Sequence, residues 1–275
     1  MRLSIDHRTV YRYDPAPAAL ALRLRLWPTQ TAQQRLLAWS VSVNGEPVEP
    51  LLTTGYGQAE ALWFDKRSSA AIEVRATGTV ETVDAAGVLG REARIRPGLY
   101  RRKTELTEPD GSVIALAETA AKEADGEGAL AELHALNAAV NSALDYRSGA
   151  TDATTTAAQA LALGAGVCQD FAQLFIAVSR HLGHPARYVV GYLHDAQSPE
   201  MASHAWAEAH VEGLGWIGFD PVHDVCPAET YVRLGVGFDA ADAAPIRGTM
   251  RAGSAEEIDV SVSVAAGATQ QQSQG

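Results

Sequence analysis

The sequence predicts an α+β protein in two parts, a β-sandwich-like N-terminal region followed by a core of helices and strands. Three observations carry this. Residues 1 to about 85 contain runs in which apolar and polar residues alternate, broken by turn residues. Helical spacing replaces alternation after Pro109-Asp110-Gly111-Ser112 and is clearest in Phe171, Leu174, Phe175 and Val178. Beyond Pro185 strands return, in Ala186 to Leu193 and then, by alternation, in Ser203 to Val211.

Taken in order, Leu20, Leu22, Leu24 and Leu26 alternate with Ala21, Arg23 and Arg25, as in a half-buried strand. Trp39, Val41 and Val43 alternate with Ser40 and Ser42 and run into Asn44-Gly45, a strong hairpin signal. Ile72, Val74 and Ala76 form a further strand, and Pro15, Pro17, Pro28, Pro47 and Pro50 mark turns. Nothing in this region reads as chemistry; Trp27, Trp39 and Trp63 read as core or interface. Arg91, Arg94, Arg96, Arg101, Arg102 and Lys103 form a basic run, read as a solvated connector because no stacking aromatics accompany it. Leu130, Leu133, Asn137, Val140 and Leu144 fit a helix with one polar member. Thr154 or Thr155 is expected to cap a short helix ending at Gly164. The following helix begins at Cys168 and stops at Gly183 and Pro185. Ser203–Val211 and Trp216–Pro221 are expected to form a hairpin, and Tyr231–Phe238 and Ile258–Val264 two more strands. The tail from Ala265 is small and Gln-rich.

Composition excludes some classes. A formal net charge of −11 argues against nucleic-acid or anionic-membrane binding, which need a basic patch. No run is long enough to span a membrane, and no apolar leader opens the chain. With only Cys168 and Cys226, a reducing, cytoplasmic location is expected rather than a disulfide framework, although a Cys168–Cys226 bridge stays open.

Cys168 is the candidate nucleophile. Gly164-Ala165-Gly166-Val167 delivers it to the first turn of an apolar helix, where unpaired N–H groups and the helix dipole favour thiolate. Most free cysteines are merely small buried hydrophobes, so the assignment needs a base and an orienting acceptor. His204 and Asp220 supply them from the two sides of one hairpin. The Cys168 N–H is expected to serve an oxyanion hole, with Gln169 and Tyr146 as candidates for its second donor. Trp206 and Trp216 are expected to wall the cleft or fill core. His204, Glu208 and His210 share one strand face, so a zinc site completed by Cys226 or His223 is the rival reading; no metal and no organic cofactor are expected. Asp170 reads as a favourable charge in the helix's first turn.

Three blocks in this order are Gly166-Val167-Cys168-Gln169-Asp170-Phe171-Ala172, Ala202-Ser203-His204-Ala205-Trp206-Ala207-Glu208 and Gly215-Trp216-Ile217-Gly218-Phe219-Asp220-Pro221. Together they resemble the transglutaminase-like superfamily, in particular its bacterial cysteine-protease branch. His7-Arg8-Thr9-Val10-Tyr11-Arg12-Tyr13 and Leu26-Trp27-Pro28-Thr29 resemble that branch's N-terminal β domain. The resemblance implies a papain-like core, a Cys-bearing helix packed on an antiparallel sheet that carries the His and Asp. It also implies Cys168 as nucleophile, His204 as base and Asp220 as orienting acid. His223 departs from the Asn or similar polar residue usual there, and Phe238 from a basic one. The division expected is an N-terminal β domain over 1–85, a connector over 86–110, a catalytic core with C-terminal strands over 111–264, and a disordered tail over 265–275. The function implied is thiol-dependent acyl transfer at a peptide or protein amide, with hydrolysis favoured. The alternatives are a crosslinking amine transferase and a non-catalytic peptide-binding module.

Overall fold

The computed structural model describes residues 1–65, 67–91, 94–124, 126–197, 202–251 and 255–267. The chain begins with strands β1 (Arg2–Asp14), β2 (Ala19–Leu24), β3 (Gln34–Val43), β4 (Glu46–Pro47), β5 (Leu52–Thr53), β6 (Ala59–Asp65) and β7 (Ala71–Thr82). Asn44 and Gly45 turn between β3 and β4 at φ 52° and 81°, the positive pair a tight hairpin turn requires. Then come β8 (Val88–Gly90), α1 (Gly111–Glu123), α2 (Ala129–Ala143), β9 (Asp145–Tyr146), α3 (Ala157–Leu163), β10 (Ala165–Gly166) and α4 (Cys168–His181). The last elements are β11 (Ala186–Leu193), β12 (Ser203–Val211), β13 (Gly215–Phe219), β14 (Tyr231–Gly237), α5 (Ala240–Ala243), β15 (Ile246–Arg251) and β16 (Ala255–Ala266).

The β-rich part is a sandwich of a sheet ordered β16-β1-β7-β3-β4 on one ordered β15-β2-β6-β5. Leu3, Ile5, Val41 and Val74 of the first meet Leu20, Leu22 and Leu24 of the second in one buried core. Both sheets are completed from the far end of the chain. β16, expected among the C-terminal strands of the catalytic core, pairs instead with β1, and β15, where no strand was expected, pairs with β2. Apolar alternation shows that a strand has a buried face; it does not show which sheet receives it. Residues 265 and 266, expected in the tail, close β16, while 268–275 lie outside the described residues.

The second part is an antiparallel sheet, β14-β11-β12-β13-β8, with α4 against one face. Its edge strand β8 comes from the segment expected to be only a connector. β12 explains the unusual composition of its stretch. Ala205, Ala207 and Ala209 face the helices, and their small side chains let α4 lie close; His204, Trp206, Glu208 and His210 occupy the alternate positions. α4 is buried from Asp170 to Arg180, with α1, α2 and α3 around it. Thr156, rather than Thr154 or Thr155, caps α3, because Gln159 three residues on can return its side chain to the Thr156 amide. Thr154 bonds Asp152 instead. Among the described residues no helix is long and apolar enough to cross a membrane.

Candidate active site

α4 starts where β10 ends, and Cys168 is its first residue. Asp170 makes that start. Its buried carboxylate accepts the Val167 N–H at 2.8 Å and the Thr151 hydroxyl at 2.6 Å, and burial pushes its pKa up. Asp170 is therefore a buried cap as well as a charge in the helix's first turn. A Cβ on Gly166 would sit 2.6 Å from this carboxylate, which accounts for the glycine two residues before Cys168. Gly166→Ala is expected to lower stability by about 1–3 kcal/mol, measured as the midpoint of urea unfolding; an unshifted midpoint would show that the cap relaxes freely.

β12 and β13 carry the other two candidates. Ala207 pairs with Phe219, so Asp220 lies just past β13, diagonal to His204. His204 Nε2 donates to Asp220 Oδ2 at 2.7 Å, and both side chains are fully buried. The same oxygen accepts His223 Nδ1 at 2.7 Å and the Tyr231 hydroxyl at 2.8 Å, while Oδ1 accepts the Val222 N–H at 2.9 Å. Burial alone would raise the Asp220 pKa; hydrogen bonds from His204 and His223 outweigh it and hold the carboxyl well below its usual range. Burial likewise opposes charge on His204, yet its hydrogen bond to Asp220 and the nearness of Cys168 push its pKa up to about 10. His204 Nδ1 is buried with no hydrogen-bond partner among the described residues. With Nε2 engaged, Nδ1 is the nitrogen left to serve Cys168. The turn after Asp220 is pinned by α2: Asn141 donates to the carbonyls of Pro221 and Val222, each at 2.9 Å, and Asn137 donates to Asp224 at 2.8 Å.

Cys168 and His204 line one cavity of about 480 Å³. Gln169 lines it too, its side-chain amide donating to the Asp152 carbonyl at 3.3 Å. Tyr146 does not; it stands outside the cavity with its ring beside Phe171. Neither tryptophan walls this cavity. Trp206 backs the His204 ring, centroids 6.2 Å apart, and borders a separate, smaller cavity. Trp216 is buried under the Arg187 guanidinium, 3.9 Å from its ring. Of the two roles expected, both take that of buried core, since the sheet has two covered faces and only one of them borders the cleft.

The cavity also contains residues that the sequence did not single out. Tyr188 of β11 is one, its phenol pKa pushed far up by burial and then by the neighbouring Cys168 charge. His7, Thr9 and Tyr11 of β1, and Ile258 and Val260 of β16, form further wall. Tyr231 was visible only as a strand residue; no local signal aims it at Asp220. Both cysteines are free thiols.

The zinc reading does not assemble. Glu208 is held by Arg187 Nε at 2.6 Å and Arg233 Nε at 2.7 Å, a carboxylate already neutralised by two guanidiniums. His210 packs against Trp216 instead. His204, Asp220 and His223 bring donor atoms within 4.8 Å of one another, but through hydrogen bonds converging on one Asp220 oxygen. That arrangement shares protons: it holds an imidazole in one tautomer and stabilises its cation.

Comparison with known proteins extends over both parts. Residues 114–221 match the transglutaminase-like superfamily, and residues 3–81 match the bacterial transglutaminase-like N-terminal region. An uncharacterized protein of Mycobacterium leprae is 30% identical over 288 residues, covering 96% of this chain and 98% of that one. An uncharacterized protein of Mycobacterium tuberculosis is 29% identical over 289 residues, covering 96% and 92%. A crystal structure from Cytophaga hutchinsonii, named "a putative cysteine protease", is similar with a TM-score of 0.74 and 24% identity over 98% of this chain and 92% of that one. At that identity the likeness is one of fold.

Proposed function

The chain belongs to the transglutaminase-like superfamily, and from that premise we propose that it is a thiol-dependent enzyme that cleaves peptide or protein amides through Cys168, His204 and Asp220. The observation that carries the reading is the charged relay behind the cavity: a buried His204 held to a buried, ionised Asp220, with one ring nitrogen left toward Cys168.

In this reading His204 takes the Cys168 proton, and the thiolate sulfur bonds to the amide carbonyl carbon. The oxyanion faces the Cys168 N–H, which opens α4 and has no carbonyl four residues back within a helix. Gln169 and Tyr188, which both line the cavity, are the side chains this reading offers as a second donor. The C–N bond then breaks, and the leaving amine takes the proton held by His204. Water, deprotonated by His204, releases the acid and restores the thiol. Hydrolysis is preferred to amine transfer on the resemblance to the cysteine-protease branch and on the name that the Cytophaga protein carries. The substrate is a peptide or protein amide, with no nucleic acid, membrane or cofactor in the scheme. A reducing compartment, the cytoplasm, belongs to the same reading because Cys168 must remain a thiol.

Alkylation tests this. Cys168 is expected to react with iodoacetamide at pH 7 faster than free cysteine, and His204→Ala to slow it by about a hundredfold. Mass spectrometry separates Cys168 from Cys226. Equal rates for Cys168, the variant and free cysteine would leave a binding module. Adding a primary amine to a substrate assay separates the two reactions, since a transferase would yield the new amide.

A further inference from the structure

Resting on the reading of Cys168 as nucleophile, we propose that the cleft takes an internal, uncharged segment of a peptide chain and that Ile258 and Val260 seat an apolar side chain next to the reacting amide.

Two independent observations lead there. The first is the origin of the wall. β16 returns from the end of the chain to pair with β1, placing Ile258 opposite Tyr11 and Val260 opposite Thr9. All four line the cavity that contains Cys168. Ile258 and Val260 are each 52% exposed, large apolar side chains left open at a cleft rather than packed into the sandwich. Two residues on, Val262 and Val264 share their face and do pack against the sandwich core. The wall is continued in small and apolar residues by Ala240, Ala244 and Ile246.

The second is the lack of any further charge: among the described residues His204 is the one cation of the cleft, and Asp220 behind it already balances that charge. Among the described residues, no Asp, Glu, Lys or Arg lines the cleft. Glu257 and Asp259 alternate with Ile258 and so take the other face of β16. Glu256 shares the Ile258 face but interacts with the Tyr13 hydroxyl and lies outside the cavity lining. His7 is buried between the Tyr192 hydroxyl at 2.9 Å and the Thr9 hydroxyl at 3.0 Å, and burial brings its pKa down to about 4. It is neutral at pH 7. Desolvating a charge without a partner is strongly unfavourable. A free chain terminus or a charged side chain beside the amide would meet that cost here, whereas an internal apolar residue gains from burial against Ile258 and Val260.

Peptidyl chloromethyl ketones test the groove separately from the thiol. Each alkylates sulfur with loss of chloride, so the rate reads both the nucleophile and the fit of the peptide. N-acetyl-Ala-Ala-X chloromethyl ketones with X as Leu, Glu or Lys are compared, each normalised to iodoacetamide, which is too small to sense the groove. The Leu probe is expected to alkylate Cys168 about tenfold or more faster than the Glu and Lys probes. Val260→Lys, with Ile258→Lys as a second variant, is expected to narrow or invert the Leu-to-Glu ratio. Equal normalised rates for the three probes, with iodoacetamide still fast, overturn the groove and leave the nucleophile standing. A Cys168 no faster than free cysteine toward iodoacetamide removes both. A dimer in sedimentation that Val260→Lys dissociates, with the ratio unmoved, makes this wall an interface between copies and overturns the proposal.

Discussion

Glu208→Ala is expected to destabilise the protein by about 3–5 kcal/mol, the largest single-residue effect on folding that the structure implies. Glu208 is fully buried on β12, four residues along from His204. Burial opposes its ionisation, and the charges and hydrogen bonds of Arg187 and Arg233 outweigh that and lower its pKa. Both guanidiniums are themselves buried. Arg187 stacks on Trp216, and Arg233 reaches Thr29 of the N-terminal region at 2.9 Å. Gln34 of β3 closes the link, accepting from the Arg233 N–H and donating to its carbonyl, both at 2.7 Å. Removing Glu208 takes the shared carboxylate from two buried cations at the seam between the sandwich and the second sheet. Thermal unfolding should show a fall of about 10 °C, and Glu208→Gln a smaller one, since the amide keeps an acceptor. A fall within 1 °C for the alanine variant would mean that the ion pairs contribute nothing net. Because its pKa is depressed, the Glu208 contribution is complete above the unfolded value of about 4.3 and disappears as pH falls through the native one.

Asp220→Asn is expected to carry the largest effect on chemistry after loss of Cys168 itself, a drop of about 10²–10⁴ in the rate of amide cleavage. The carboxylate accepts from three donors at one oxygen, and an amide in its place has only one acceptor and adds two N–H groups facing donors. Imidazolium at position 204 then loses its counter-charge. In NMR titration His204 should give up its proton well below the native value of about 10, moving toward the ordinary 6.5. Stability follows the same linkage with a definite sign. The raised His204 pKa stabilises the fold fully below about 6.5, and that contribution is lost as pH rises through the native value. The depressed Asp220 pKa contributes above about 3.9 and is lost on acidification. The wild-type melting temperature should therefore decline between about pH 6.5 and 10, and Asp220→Asn should flatten that decline. An unchanged His204 titration in the variant would remove Asp220 from the proposed machinery.

Much of the candidate site was legible because its determinants are local. Gly164 with φ at 65° ends α3, Gly166 admits Asp170, and a 3.6-residue apolar period carries α4 away from Cys168. The hairpin from His204 to Asp220 was legible for the same reason: a tight turn at Gly213 and Gly215 sets which end of one strand meets which end of the next. Asn137 was legible as a polar member of an apolar face, and its partner Asp224 in the turn after Asp220 was not.

The sequence by itself determined the main helices and strands, the order of the sulfur, imidazole and carboxylate groups, and the two-part α+β plan. Periodicity and turn chemistry are short-range, and a chain of this kind has few local alternatives. The tertiary structure alone decided what lies across from what. It put β16 beside β1, with Val260 opposite Thr9 from the other end of the chain. It added His223 and Tyr231 to the oxygen that His204 uses. It turned Glu208 from a candidate zinc ligand into the centre of an ion cluster and moved Trp206 and Trp216 out of the cleft. Alternation states that a side chain is buried; the identity of its neighbour depends on contacts between residues far apart in the chain, and those exist only once the sheets have closed.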